Sequence, residues 1–208
     1  MTLRIYRLPA GPIETNAYLV VDTVSGDAML VDTPPEVAPI AAHAAEEAGA
    51  SVQYIVITHG HWDHIIGAAA TKAMWDVPIV GHELVRDRLA DPALSARSPY
   101  PMEPVVLDLA VTEGDELTIG GHTFTIMHMP GHDPAHITLY SEVDGVMLGG
   151  DVLFRDGHGR TDLPGSDQAV MNTTLKRFLT LPTETRVLPG HGDETTVGRE
   201  SRWIVQIP

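Results

Sequence analysis

Residues 52–67 read VQYIVITHGHWDHIIG. An apolar run rich in β-branched side chains breaks off at Thr58, three histidines and an aspartate follow within residues 59–64, and the chain turns apolar again at Ile65. The first part predicts a buried strand whose end delivers His59, and the last part predicts a helix over DHIIGAAATKAMWD that Asp63 begins. Packing three imidazoles and a carboxylate together without a cation would strand polar groups at roughly several kcal/mol each. The segment therefore predicts metal ligation.

The same abrupt ending recurs in IMHMPGH (126–132), VMLGGD (146–151) and TRVLPGH (185–191). Strand ends are where a rigid sheet hands a free backbone to chemistry, so the four segments are expected to empty onto one edge. They supply His59, His61, Asp63, His64, His132, Asp151 and His191. Seven donors exceed the needs of one tetrahedral ion and suit two ions ~3.5–4 Å apart, with a carboxylate, Asp151, shared and a hydroxide between them. Imidazole and carboxylate donors make zinc the expected metal, with iron and manganese as alternatives. A serine triad lacks a convincing nucleophile, and paired carboxylates alone would leave the histidines unexplained.

The other six histidines carry weaker readings. His43 is expected to be solvated on a helix, His82 to sit near a helix start, and His122 to follow a hairpin glycine. His128 and His136 flank His132 as core residues or supports of the ligands, and His158 lies in a glycine-rich loop facing solvent or substrate. Thr58 is expected to end its strand and hydrogen-bond a ligand carboxylate, and Arg160 to pair with Asp162 and fix their loop.

Around these motifs the chain alternates strand and helix signals without a repeat or linker. AYLVVD and AMLVDT flank a turn, EVAPIAAHAAEEAGA reads as a helix closed by Gly49, and VPIVGHELVRDRLAD as a short strand and a helix. The proline-rich SARSPYPMEP (95–104) reads as an irregular loop. Hairpins follow around Gly120-Gly121 and around EVDG, then a helix over SDQAVMNTTLKRFLTL and the strand TRVLPGH. Two half-domains of similar build predict an α/β sandwich. Loops 11–16, 91–104 and 155–166 are expected to wall the pocket.

Bulk properties remove other classes. With 43% hydrophobic and 20% charged residues among 208, the chain resembles ordinary globular proteins. A net charge of −15 and a pI near 4.9 repel nucleic acid and anionic lipid. The chain has no cysteine, hence no thiolate ligand or disulfide. No stretch reaches the roughly 18 apolar residues of a membrane span, so cytoplasmic residence is the expectation.

The motifs THGHWDH, PGH, GGD and PGHG, in this order over residues 58 to 191, resemble the metallo-β-lactamase superfamily. The resemblance implies an αββα sandwich of two mixed sheets flanked by helices, with His59, His61 and His132 around one ion, Asp63, His64 and His191 around the other, and Asp151 bridging. GDVLFRDGHGRTDLPGSD is similar to the loop of short bacterial glyoxalase II-like thioesterases, as is LPGHGDETTVGRES, which implies hydrolysis of an acyl thioester. With only residues 192–208 after His191, the C-terminal helical domain of glyoxalase II proper is not expected, and 1–208 reads as one domain. Persulfide dioxygenases share THxHxDHI and the Gly-Arg-Thr-Asp loop but use one iron at positions matching His59, His132 and Asp151. Their loop has Cys before that tetrapeptide and Phe-Gln after it; here His158 precedes Gly159-Arg160-Thr161-Asp162 and Leu163-Pro164-Gly165 follows, which favours the hydrolase.

The expected function is thus a metal-dependent thioester hydrolase in which Asp63 and Asp151 are catalytic. Water ionised at a metal attacks the carbonyl, Asp63 orients it or shuttles its proton, and the thiolate leaves. A mononuclear iron dioxygenase is the runner-up and a non-catalytic metal-binding module the third reading. If Asp151 is shared, Asp151→Ala removes both metal equivalents together while His64→Ala removes mainly one, as elemental analysis of the two purified variants would show.

Overall fold

The computed structural model describes residues 2–91, 94, 98 and 100–208. Strands β1 (Leu3–Ala10), β2 (Thr15–Asp22), β3 (Asp27–Val31), β4 (Ser51–Val56), β5 (Ile79–His82) and β6 (Leu109–Val111) form one six-stranded sheet in sequence order. Its first three strands are antiparallel and its last four parallel. The second sheet contains β7 (Glu116–Ile119), β8 (His122–His128), β9 (Ile137–Ser141), β10 (Val146–Gly150), β13 (Arg186–Pro189) and β14 (Thr195–Thr196), in the order 14-13-10-9-8-7. Only β10 and β13 in it run parallel. A two-stranded ribbon, β11 (Leu153–Phe154) with β12 (Gly157–His158), stands apart.

Helices α1 (Val37–Ala48), α2 (Trp62–Ile65), α3 (Ala68–Trp75) and α4 (Arg86–Ala90) cover the first sheet, and α5 (Gln168–Arg177) and α6 (Val197–Ile204) the second. The period-2 alternation of the strands explains the layering. Tyr18, Val20, Met29 and Val31 point inward to Phe124, Ile126, Leu139 and Leu148 of the second sheet. Leu19, Val21, Ala28 and Leu30 point outward to Val37, Ala41 and Ala45 of α1. With both faces covered, β2 carries the unbroken apolar run AYLVV and is buried throughout. The expected αββα sandwich of two mixed sheets flanked by helices is the observed fold.

Capping follows local chemistry. Gly49 closes α1 in the left-handed region, its N–H reaching the carbonyls of Ala45 and Glu46, and the Asp167 carboxylate accepts from the N–H groups of Ala169 and Val170 at the start of α5. Beside His122, the Asp22 carboxylate accepts from the Gly121 N–H at 2.8 Å and ties the sheets together.

Several expectations are corrected. The helix predicted over residues 63–76 is two, because Gly67 turns inward to donate to the Thr33 carbonyl at 2.8 Å, and His61 rather than Asp63 precedes the first turn. Strand β1, the ribbon and α6 were not foreseen; α6 buries only Val197, Glu200 and Ile204 in an otherwise polar run. Residues 101–108 lack regular structure, and the rest of the proline-rich loop lies largely outside the described residues. Among the described residues, no helix is long and apolar enough to cross a membrane.

Phe124 lies fully buried between the sheets. Phe124→Ala should cost about 3–5 kcal/mol of unfolding free energy in a urea titration, through lost transfer energy and the cavity left behind.

Candidate metal centre

The ends of β4, β8, β10 and β13 converge. His59, His61 and His132 bring one nitrogen each into a group within 4.8 Å of one another; Asp63, His64 and His191 form a second such group, and His59, His64 and Asp151 a third that overlaps both. His61 Nδ1 lies 3.1 Å from His59 Nε2 and 2.8 Å from His132 Nε2. Asp63 Oδ2 is 3.3 Å from His64 Nε2 and 3.2 Å from His191 Nε2. The Asp151 carboxylate stands between the groups, Oδ2 being 3.5 Å from both His132 Nε2 and His191 Nε2, and Oδ1 3.5 Å from His64 Nε2. All seven residues singled out from the sequence therefore meet at one sheet edge.

What stands behind each imidazole fixes its proton. His132 Nδ1 donates to the Arg160 carbonyl at 2.7 Å, and His64 Nδ1 to the Asp32 carboxylate at 2.8 Å. Thr58 Oγ1 spends its hydrogen on Asp32, so it can only accept from His59 Nδ1, 3.0 Å away. In each neutral ring the inner nitrogen is consequently a bare lone pair. These nitrogens face one another and two carboxylates, and among the described residues buried His64 Nε2 and Asp151 Oδ1 have no hydrogen-bond partner. Acceptors aimed at acceptors are satisfied by a cation, so the donor set fits divalent metal ions.

The electrostatics agree. Burial opposes charge on His64, but the carboxylates of Asp63, Asp32 and Asp151 push its pKa well above the ordinary range. Against the same effect of burial, hydrogen bonds to Asp151 and Asp63 raise His191 to about 9. Burial and the crowd of imidazoles press His59 well below its usual value, and burial with His132 lowers His61 to about 4. Burial favours protonation of Asp63 and Asp151, yet His64 and His191 hold both well down. The carboxylate side of the cluster thus calls for positive charge.

Close backbone approach makes the cluster possible. A Cβ on Gly190 would meet Asp151 Oδ1 at 2.2 Å, and one on Gly60 would meet the Arg88 side chain at 2.6 Å. Arg88 in turn pairs with buried Asp133, whose Oδ2 lies 3.8 Å from His61 Nε2.

The supporting residues differ partly from expectation. Thr58 bonds a carboxylate as expected, but it is that of Asp32 rather than of a ligand. His136 stacks on His59 at 4.8 Å and accepts from the Asp151 N–H at 2.9 Å. Arg160 and Asp162 form a two-pronged ion pair at 2.7 Å on an exposed loop. His158 is half-buried, bonded to the Gly159 carbonyl, with its ring 6.2 Å from Trp203. His122 is buried against Asp144, His82 stacks on His128 at 4.3 Å, and His43 is exposed. Within loop 11–16, Thr15 and Asn16 belong to β2 and are buried, so they form no pocket wall. The site opens where His61 and His191 keep some exposure; Phe154 stands edge-on to His191 at 6.1 Å, and Tyr100 stacks on Trp62. Asp32, Asp133 and Thr15 were missed, although AMLVD ends an apolar strand at an acid just as VMLGGD does.

With this geometry in place, the chain can be set beside known proteins. The sequence model of the metallo-beta-lactamase superfamily matches residues 10–191. The chain belongs to that superfamily. Among relatives in it, a probable metallo-hydrolase YqgX of Bacillus subtilis is 36% identical, with 92% of this chain and 91% of that protein aligned. The hydroxyacylglutathione hydrolase GloC of Haemophilus influenzae is 31% identical over 96% of each chain. Among solved structures, the BLEG-1 B3 metallo-beta-lactamase superposes with a TM-score of 0.89 at 33% identity, covering 96% of this chain and 97% of that one. TTHA1623 in a di-iron-bound form gives 0.78 at 35% over 95% and 97%. ETHE1 from Myxococcus xanthus gives 0.81 at 26% over 100% and 84%. The chain thus falls in a metallo-hydrolase superfamily and itself carries a histidine and aspartate cluster at the sheet edge.

Asp32 has φ +62°, a conformation asparagine adopts readily, so Asp32→Asn preserves the backbone. Its amide would turn a donor toward His64 Nδ1 and force the ring hydrogen onto Nε2, inside the cluster. Metal affinity should fall about 10–100-fold, measured by competition with a chromophoric chelator.

Proposed function

We propose that this chain is a two-metal hydrolase of acyl thioesters. The observation that carries the metal reading is the convergence of bare imidazole nitrogens on a carboxylate, Asp151, that faces both groups. His59 Nε2, His61 Nδ1 and His132 Nε2 would hold one ion, Asp63, His64 and His191 the other, and Asp151 would touch both. A bound pair of divalent ions supplies Lewis acidity and water ionised at a pKa of about 7.

The chain's own residues do the rest. Asp63 stays ionised beside His191, and its carboxylate can orient the attacking water. No protein nucleophile is required. A thiol leaving group of pKa about 8.5 departs as thiolate without a strong general acid. The Arg160–Asp162 pair stiffens the loop whose carbonyl fixes His132. Phe154, Trp62 and Tyr100 offer apolar surface for the substrate's acyl or thiol portion.

The thioester part of the reading rests on the Gly159-Arg160-Thr161-Asp162 loop and on the likeness to a hydroxyacylglutathione hydrolase. The likeness to ETHE1 keeps the mononuclear iron dioxygenase as the second reading. Elemental analysis of the purified protein, coupled to thiol release from acyl thioesters and to oxygen uptake with a persulfide, separates the two. About two metal equivalents and thiol release abolished by a chelator are expected. One iron per chain and oxygen uptake would overturn the proposal.

A further inference from the structure

The two donor groups are supported by different parts of the chain. Behind His59, His61 and His132 stand Thr58, Asp133, His136 and the Arg160 carbonyl. Behind Asp63 and His191 stands the start of β2. Thr15 Oγ1 donates to Asp63 Oδ2 at 2.8 Å in a fully buried contact. The Asn16 N–H donates to the Gly190 carbonyl at 2.7 Å, and its side-chain amide to the carbonyls of Pro189 and Gly192. The Tyr18 hydroxyl donates to Pro189 as well, at 2.7 Å.

We infer that Thr15 is a positioning residue that sets occupancy of the Asp63–His64–His191 cation site independently of the His59–His61–His132 site. Asp63 sits on the four-residue helix α2, too short to fix a side chain by itself. The other groups seen facing its carboxylate are the imidazoles of the cluster, so Thr15 supplies the hydrogen bond from outside. A carboxylate oxygen has two lone pairs; with one engaged by Thr15, the other would be left for a cation held with His64 and His191. Asp63 is also the carboxylate that distinguishes this group from the all-imidazole one, so disorder in it falls on one site and spares its neighbour.

The inference rests on the two-ion reading, and the test separates the two. Wild type, Thr15→Val and Thr15→Ser are dialysed against buffered free zinc and their bound metal counted, while calorimetry gives the Tm of each metal-free protein. In Thr15→Val the first equivalent should bind as in wild type and the second should need about 10–100-fold more free zinc. Thr15→Ser should restore it, with a metal-free Tm within about 3 °C of wild type. If Thr15→Val does not fold, Thr15→Ala gives the same readout. Unchanged binding of both equivalents, or equal weakening of both, would overturn the role of Thr15. A wild-type protein that takes up fewer than two equivalents would instead overturn the two-ion reading, and this inference with it.

Discussion

The Nδ1 atoms of His59, His64 and His132 are engaged by the groups behind them, which turns their Nε2 atoms toward the interior of the cluster and the Asp63 and Asp151 carboxylates. Nitrogens and carboxylates gathered this closely need shared protons or a cation between them, because a buried setting deprives them of water. The arrangement persists because each ring is gripped from outside by a group that is itself buried and fixed. Asp32 shows how tightly: it receives the Thr58 N–H, the Thr58 hydroxyl and the His64 ring from three directions. The left-handed backbone at Asp32 is local strain retained for that purpose.

The sandwich provides the rigidity this requires. Parallel pairing of β3 with β4 and of β10 with β13 makes neighbouring strands end on the same side. Each sheet thereby delivers donors to the shared rim, while the apolar layer between the sheets holds the rims in register. The donors lie on strand ends and their loops, where the backbone can turn without leaving a sheet hydrogen bond unmade.

Much of this was legible in the sequence because the donors announce themselves chemically. Apolar strands that stop at His or Asp are conspicuous, and the four that contain the seven donors were all read. Supporting residues are less visible, since Thr15, Asp133 and Asp32 are ordinary in composition and acquire meaning only through partners far along the chain. Asp32 is readable in principle, but AMLVDT reads as a hairpin strand and nothing local gives the acid at its end a role. Strand β1 was overlooked because LRIYRLPA mixes arginine with apolar residues on an edge, and α6 because its buried face includes a glutamate. The split of α2 from α3 was hidden because Gly67 interrupts the helix for a tertiary reason, its bond to Thr33.

That buried glutamate has a consequence. Glu200 accepts from the Thr195 hydroxyl, from the Asp156 N–H in the turn of the β11–β12 ribbon at 2.9 Å, and from the Trp203 indole at 2.7 Å. The ribbon bears Phe154 beside His191 and His158 beside Trp203. One buried carboxylate therefore ties the turn of this ribbon to the indole of α6. Moving the ribbon would thus disturb the hydrogen bond that seats Trp203 on α6.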